Sequence, residues 1–186
     1  MLVLDLFCGT KSLKPIIENK GWEYIGLDIE TKFNPDINID FLNCVAEEFY
    51  KKIEKEVGHF EFQIAGQEFS SIPLLISLPI ILEKKYGIKL NSFMIKNERK
   101  SYGIHNFIEG CTVDLPVLIV GEMCNSTNTF LHCHNVLKYH KFDMLPYIFA
   151  VLNKYGSKFS SGKLEDRYLK KDFKPLTILN RDDLKT

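Results

Sequence analysis

Several stretches of this chain place residue types at spacings that could do chemistry. The first opens with the strand-like run Val3-Leu4-Asp5-Leu6 and the turn Phe7-Cys8-Gly9-Thr10-Lys11-Ser12. A helix-compatible segment follows, then a second run, Tyr24-Ile25-Gly26-Leu27, that ends at Asp28. A strand, a glycine turn, a helix and a second strand with a terminal carboxylate place backbone N–H groups and an acceptor around a nucleoside, with Asp28 taking the ribose hydroxyls. The plain alternative is a βαβ unit in which Asp5 and Asp28 only cap turns. The second stretch is the basic segment holding Lys96, Arg99 and Lys100, a kind of cluster that is usually a solvated surface turn. The run His132-Cys133-His134 has metal-ligand residue types, but successive helix residues point about 100° apart and cannot converge on one ion. His132 and His140 share a helix face, yet lie about 12 Å apart along the axis. We read these histidines as packing and surface groups. Cys8 and Cys124 each fall near a strand end and a helix start, where a thiol pKa is lowered. Neither has a histidine close in sequence, and buried or turn thiols account for them.

The elements that must position these groups follow from the pattern of apolar residues. Runs of strand length alternate with segments of helical period, the arrangement of a mainly parallel sheet covered on both faces, so the chain is read as α/β. Strands are expected at 2–6, 24–27, 60–65, 92–95, 116–120 and 144–151, with a late one near 176–179. Val45, Phe49, Ile53 and Val57 recur every four residues behind the candidate cap Asn43, and Phe130, Cys133 and Leu137 do similar work behind Thr127 or Asn128. The stretch from Ser71 to Lys85 also has helical character, with Pro79 expected to kink it or end its first part. Residues 153–173 are rich in Lys, Asp, Ser and Gly and read as a loop or excursion.

Composition narrows the function. The 186 residues carry 24 basic and 24 acidic side chains, so nothing suggests the electrostatic footprint of a general nucleic-acid binder, and small-molecule chemistry is favoured. No apolar run has the roughly 18 to 20 residues needed to span a bilayer, and the N-terminus lacks the flank and cleavage site of a signal peptide. A cytoplasmic protein is expected. Five cysteines at irregular spacing read as free thiols.

The first stretch, from Leu2 to about Asn43 and including Lys32-Phe33-Asn34-Pro35-Asp36, resembles the opening of S-adenosylmethionine-dependent DNA methyltransferases, particularly phage-type cytosine enzymes, which often read Asp-Leu-Phe-x-Gly-Thr here. That resemblance implies Asp5, Gly9 and Asp28 as residues for an adenosyl ligand. It covers less than a quarter of the chain. No Pro-Cys motif and no Asp/Asn-Pro-Pro-Tyr/Phe motif is present, so S-adenosylmethionine would have no methyl transfer to serve without a partner.

A longer resemblance begins around His59. Phe62-Gln63-Ile64-Ala65-Gly66-Gln67-Glu68 followed by Ile72-Pro73-Leu74 resembles the first core strand and pyrophosphate loop of type I phosphoribosyltransferases, most like the orotate branch and its phage relatives. Phe93-Met94-Ile95-Lys96-Asn97-Glu98-Arg99-Lys100-Ser101-Tyr102-Gly103 resembles the family's Val-Arg-Lys-Glu-x-Lys-x-x-Gly segment. Asn106-Phe107-Ile108-Glu109-Gly110 is similar to the Ile-Glu-Gly that follows it. Val117 to Thr129 sits where the family has a buried strand, two acidic residues and a Ser/Thr-Gly-x-Ser/Thr phosphate cradle. Two departures stand out. Gly121 replaces the first acidic residue, leaving Glu122 as the second, and Thr127 replaces the cradle's glycine, where a β-branched side chain is disfavoured if φ must be positive.

The resemblance implies a domain over 44–186 preceded by an incomplete methyltransferase-like βαβ segment over 1–43. It implies transfer of phosphoribosyl from phosphoribosyl pyrophosphate to a nucleobase, orotate first, as in pyrimidine nucleotide metabolism, with Mg2+ required and a homodimer expected. Gly66, Gln67 and Glu68 would meet pyrophosphate, and Lys96, Arg99 and Lys100 would supply charge. Glu122 would hold ribose hydroxyls, while Asn125, Ser126, Thr127, Asn128 and Thr129 would meet the 5′-phosphate. Such chemistry needs cations at the leaving pyrophosphate and water kept from an oxocarbenium-like sugar. The departures favour an alternative, a protein that binds a nucleotide or phosphoribosyl pyrophosphate without turnover. A fragment of a DNA methyltransferase is the remaining alternative.

Overall fold

The computed structural model describes residues 2–6, 14–21, 23–28, 37–38, 40–98, 107–124, 128–153 and 173–180. Two compact units divide the chain, Met1–Cys44 and Val45–Thr186. In the first, β1 (Leu2–Leu6), α1 (Lys14–Glu18), β2 (Glu23–Asp28) and β3 (Ile37–Asn38) follow in order. The three strands are parallel in the order β1-β2-β3, with Leu2 opposite Glu23 and Leu6 opposite Leu27. The expected βαβ unit therefore forms, and its strands make a sheet of their own rather than extending the larger one.

The second unit is built on a six-stranded sheet. Its elements are α2 (Phe41–Glu56, which starts just before the boundary), β4 (Gln63–Gln67), α3 (Ile72–Tyr86), β5 (Asn91–Ile95), β6 (Ile108–Glu109), β7 (Val117–Cys124), α4 (Asn128–Tyr139), β8 (Met144–Asn153) and β9 (Lys174–Asn180). Strand order is β6-β5-β4-β7-β8-β9, parallel throughout except for the antiparallel edge strand β6. This is the α/β architecture that the alternation of apolar runs predicts.

Period-two burial explains the two covered faces. Ala65, Phe93, Ile95, Val117, Ile119, Ile148 and Ala150 form one core layer with Phe130, Cys133, Val136 and Leu137 of α4. The alternate residues Ile64, Leu118 and Phe149 are also fully or almost fully buried, and they point to the opposite face. There Phe49 of α2 meets Phe149 of β8 edge-on, with ring centroids 4.8 Å apart. α3 and α4 lie on opposite faces because a right-handed crossover from β4 runs towards β5, while the crossover from β7 runs the other way towards β8. Among the described residues no helix is long and apolar enough to cross a membrane.

Local chemistry corrects three expectations. Helix α2 begins at Phe41, and its cap is Asp40 rather than Asn43, whose N–H donates to Asp40 Oδ1 at 3.1 Å. Val45, Phe49 and Ile53 are buried as their spacing predicts, whereas Val57 falls in the closing turn, its N–H on the Ile53 carbonyl at 2.9 Å. Of the two outcomes expected of Pro79, ending the first part of the helix does not occur, since α3 continues to Tyr86. The ring removes one helical hydrogen bond, but Leu74, Leu75, Leu78 and Leu82 bury the helix on both sides of it. Finally, β4 begins at Gln63 rather than at Phe60, and β4 and β7 end later than the apolar runs suggest, at Gln67 and Cys124, because Gly66 and Gln67 pair with Met94 and Ile95, and Met123 and Cys124 with Leu152 and Asn153. Residues 154–172 of the expected excursion lie outside the described residues.

Candidate functional site

Strand β4 is where the order of the sheet reverses, with β5 on one side and β7 on the other. In an open parallel sheet the carboxyl ends flanking such a reversal leave a crevice between two strand-to-helix turns, and this is where ligands bind. The turn after β4 runs through Glu68, Phe69 and Ser70 into α3; the turn after β7 leads into α4 at Asn128.

The turn after β4 is joined to strand β7 by a close contact. Ser71 is fully buried, and its hydroxyl donates to the Val120 carbonyl of β7 at 3.1 Å. That hydroxyl is consequently turned away from the helix it precedes, and α3 has no side-chain cap. Gly66 makes the contact possible: a Cβ there would lie 2.4 Å from Ser71 Cβ and 2.6 Å from the Val120 oxygen. The lack of a side chain at Gly66 thus serves the join between β4 and β7. The rest of the turn is held by backbone bonds from Glu68 N–H to the Ile95 oxygen at 2.9 Å and from Ser71 N–H to the Gln67 oxygen at 3.2 Å. The Gln67 side-chain amide donates to Asn97 Oδ1, tying the ends of β4 and β5. Phe69, at the tip, has φ 64° and is 78 % exposed, so an apolar ring sits in a left-handed backbone conformation that non-glycine residues rarely adopt.

Gly66, Gln67, Glu68, Lys96, Glu122, Asn128 and Thr129 all fall at this carboxyl edge of one sheet. Their individual settings differ. Lys96 follows β5 directly, and its side chain is only 9 % exposed, with Nζ 3.2 Å from Glu109 Oε2 of β6. Its charge is therefore met within the protein. Glu122 is exposed on β7, with Gly121 buried before it. Asn128 and Thr129 are the first two residues of α4, and the dipole at a helix N-terminus favours an anion. Arg99, Lys100, Asn125, Ser126 and Thr127 lie outside the described residues. In the first unit, Asp5 lies in β1 opposite Gly26, and Asp28 ends β2 opposite Asn38; Gly9 is outside the described residues.

Gly121 has a specific neighbour. A Cβ there would stand 3.0 Å from Phe130 Cζ, and Phe130, the third residue of α4, is fully buried. The space a side chain at 121 would need is filled by an aromatic ring from the facing helix. No signal local to Gly121 reveals this; the apolar period of α4 marks Phe130 as core without saying what it covers. Ser71 and Asn97 are likewise site-edge residues to which the sequence assigned no role, and His132, read there as a packing or surface group, also lies at this edge. Among the described residues Cys44, Cys111, Cys124 and Cys133 are not joined in disulfides. Burial pushes the Cys133 thiol up to about 12, so it is not a nucleophile at neutral pH.

No family model matches the chain, and no curated protein matches it. Solved structures do. Orotate phosphoribosyltransferase of Francisella tularensis aligns with TM-score 0.60 at 16% identity, over 77% of this chain and 68% of that one. The Mycobacterium tuberculosis H37Rv orotate enzyme in complex with 5-phospho-alpha-D-ribosyl 1-diphosphate aligns at 0.54 and 14%, over 76% and 75%. Adenine phosphoribosyltransferase of Saccharomyces cerevisiae aligns at 0.51 and 11%, over 73% and 76%. The chain has the fold of the type I phosphoribosyltransferases, a mostly parallel six-stranded sheet with helices on both faces.

Proposed function

We propose that the second unit binds phosphoribosyl pyrophosphate at the carboxyl edge of its sheet and transfers the phosphoribosyl group to a ring nitrogen of a nucleobase, with orotate the leading acceptor. One observation carries this reading. At the point of strand reversal the turn after β4 packs against β7, the strand that leads to α4, and the Ser71 hydroxyl on the Val120 carbonyl holds the two together at 3.1 Å. A ligand with a phosphoryl group at each end suits two strand-to-helix turns, because a helix N-terminus, α3 or α4, follows each and favours one anion. In this reading the turn Gly66 to Ser71 receives pyrophosphate, and Asn125 to Thr129 receive the 5′-phosphate. Glu122 accepts from ribose hydroxyls, and Arg99 and Lys100 supply positive charge as the leaving group develops its own, while Lys96 is already paired with Glu109.

Magnesium fits the residues present as an ion carried by the ligand. Among the described residues no group of three or more His, Cys, Asp or Glu side chains converges, and Mg2+ commonly keeps waters and phosphate oxygens with one or two carboxylates. Glu122 is the exposed carboxylate on β7 at this edge. When bound, the ion would neutralise charge on the leaving pyrophosphate.

A second reading, binding without turnover, is favoured by Gly121. The position next to Glu122 has no carboxylate, and Phe130 occupies the space that one would enter. Calorimetry separates the readings from each other and from an adenosyl function of the first unit. Magnesium-dependent heat with phosphoribosyl pyrophosphate is expected, followed by pyrophosphate release when orotate or another base is added. Binding with no release for any base moves the function to the second reading. Silence with phosphoribosyl pyrophosphate and heat with S-adenosylmethionine would overturn both.

A further inference from the structure

His132 is the member of the His-Cys-His run to which the fold gives a specific task. It stands on α4 one turn in from Asn128, half-buried. Its Nε2 is 2.8 Å from the backbone oxygen of Lys96, 36 residues away in sequence. Its ring meets Phe107 edge-on with centroids 5.9 Å apart. Lys96 and Phe107 are themselves joined, Lys96 N–H donating to the Phe107 oxygen at 2.8 Å. One imidazole therefore touches both arms of the β5–β6 ribbon at their outer end. It does so from the helix whose first turn carries Asn128 and Thr129.

The bond also fixes the ring's chemistry. A carbonyl oxygen only accepts, so Nε2 carries the hydrogen and the neutral ring is the Nε2–H tautomer. An apolar side chain of similar size would keep the contact with Phe107 but leave the Lys96 oxygen without this donor.

We propose that His132 is a positioning residue of the candidate site. It fixes the end of β5, with Lys96 and Asn97, against the first turn of α4, so that the groups meeting the two ends of one ligand keep a set spacing. A ligand gripped at both ends is sensitive to that spacing, since a shift of about 1 Å in a binding group is enough to cost large factors. A ligand gripped at one end is not. The identity of the ligand rests on the phosphoribosyl reading above; the clasp itself rests on the geometry alone.

The test uses the full chain, with calorimetry of phosphoribosyl pyrophosphate and of inorganic pyrophosphate, both with magnesium, on wild type and on His132→Leu, His132→Asn and His132→Gln. The leucine and asparagine variants are expected to weaken phosphoribosyl pyrophosphate about tenfold, the equivalent of one lost hydrogen bond, while pyrophosphate alone changes less than about twofold. Glutamine, whose amide nitrogen reaches as far as Nε2, restores binding to within about threefold of wild type. A merely structural role would weaken both ligands together and would not distinguish Gln from Asn. The polar pair decides the matter if the leucine variant does not fold. Long-range proton–nitrogen NMR of wild type should show the Nε2–H tautomer. Unchanged affinity in the Leu and Asn variants, equal losses for the two ligands, or an Nδ1–H ring would overturn the inference while leaving the proposed function standing. A wild type silent towards phosphoribosyl pyrophosphate would overturn both.

Discussion

Gly66 and Gly121 are both glycines because a Cβ would collide, but with different obstacles, and both can be tested. At Gly66 the missing side chain lets the turn after β4 press against β7, where Ser71 Oγ would lie 2.5 Å from an added Cβ and the Val120 oxygen 2.6 Å. Backbone cannot give way as a flexible side chain can, so Gly66→Ala should destabilise the protein by about 1–3 kcal/mol in urea unfolding. Ser71→Ala, which removes only the hydroxyl, should cost about 1 kcal/mol. Equal stability of Gly66→Ala and wild type would refute the close approach. At Gly121 the obstacle is a ring edge 3.0 Å away, which smaller side chains can relieve. Gly121→Ala and Phe130→Leu should each destabilise, yet the double variant should lose less than the sum of the two, a coupling of about 0.5 kcal/mol or more in a double-mutant cycle. Strict additivity would mean that Phe130 does not fill the space beside Gly121.

At the scale of elements, β4 is fixed at both ends by different chemistry. Its carboxyl end bears the candidate site. At its start Gln63 is fully buried, with its side-chain nitrogen donating to the Val113 and Leu115 oxygens at 2.7 and 2.8 Å. Its side-chain oxygen accepts from the Val113 N–H and from Asn91 Nδ2, both at 3.1 Å. One amide thus holds the connection into β7 and the start of β5. Gln63→Leu leaves those partners unsatisfied and should cost about 2–3 kcal/mol. Because the change lies at the end of β4 remote from the crevice, phosphoribosyl pyrophosphate affinity of the folded variant should stay at the wild-type value. A loss of affinity without a loss of stability would place Gln63 in the site instead.

The molecule as a whole shows its electrostatics in the tie between α2 and β9. Lys174 Nζ lies 2.5 Å from Glu56 Oε2, and the Glu56 carbonyl accepts from the Tyr147 hydroxyl of β8 at 2.9 Å. The hydrogen bond from Lys174 holds the Glu56 carboxyl below its ordinary value, and the same bond holds the Lys174 ammonium above its own. A lowered carboxyl contributes stability above its unfolded pKa and loses it as pH falls through the folded value. A raised ammonium contributes below its unfolded pKa and loses it as pH rises through the folded value. The tie is therefore complete at neutral pH and fades at both acid and strongly alkaline pH. Both groups are solvent-accessible, so the effect is small and screened by salt. Lys174→Met should flatten a small acid-side step in unfolding free energy measured at low salt, and the difference from wild type should shrink in 1 M salt. A difference independent of pH and salt would assign Lys174 to packing rather than charge.

Composition, apolar period and turn residues by themselves determined the α/β class, the longer strands and the helical segments, though not the two-residue strands β3 and β6, because burial of a pleated strand on two faces and of a helix on one leaves a period that any reader of the sequence can follow. Val117 to Val120 and the four-residue recurrence of Val45, Phe49 and Ile53 are legible in that way. Order along the chain also brought Gly66, Lys96, Glu122 and Thr129 into one hypothesis through family resemblance. The tertiary structure alone decided what these residues touch. The Lys96 ammonium faces Glu109, Gly66 accommodates Ser71 and Val120, Gly121 accommodates Phe130, and His132 reaches Lys96. Each of these contacts joins positions that are between 5 and 54 residues apart by the chain numbering. No period or spacing in one sequence encodes them, because a side chain's partner is set by which strands lie side by side and in what register, and that is a property of the folded sheet.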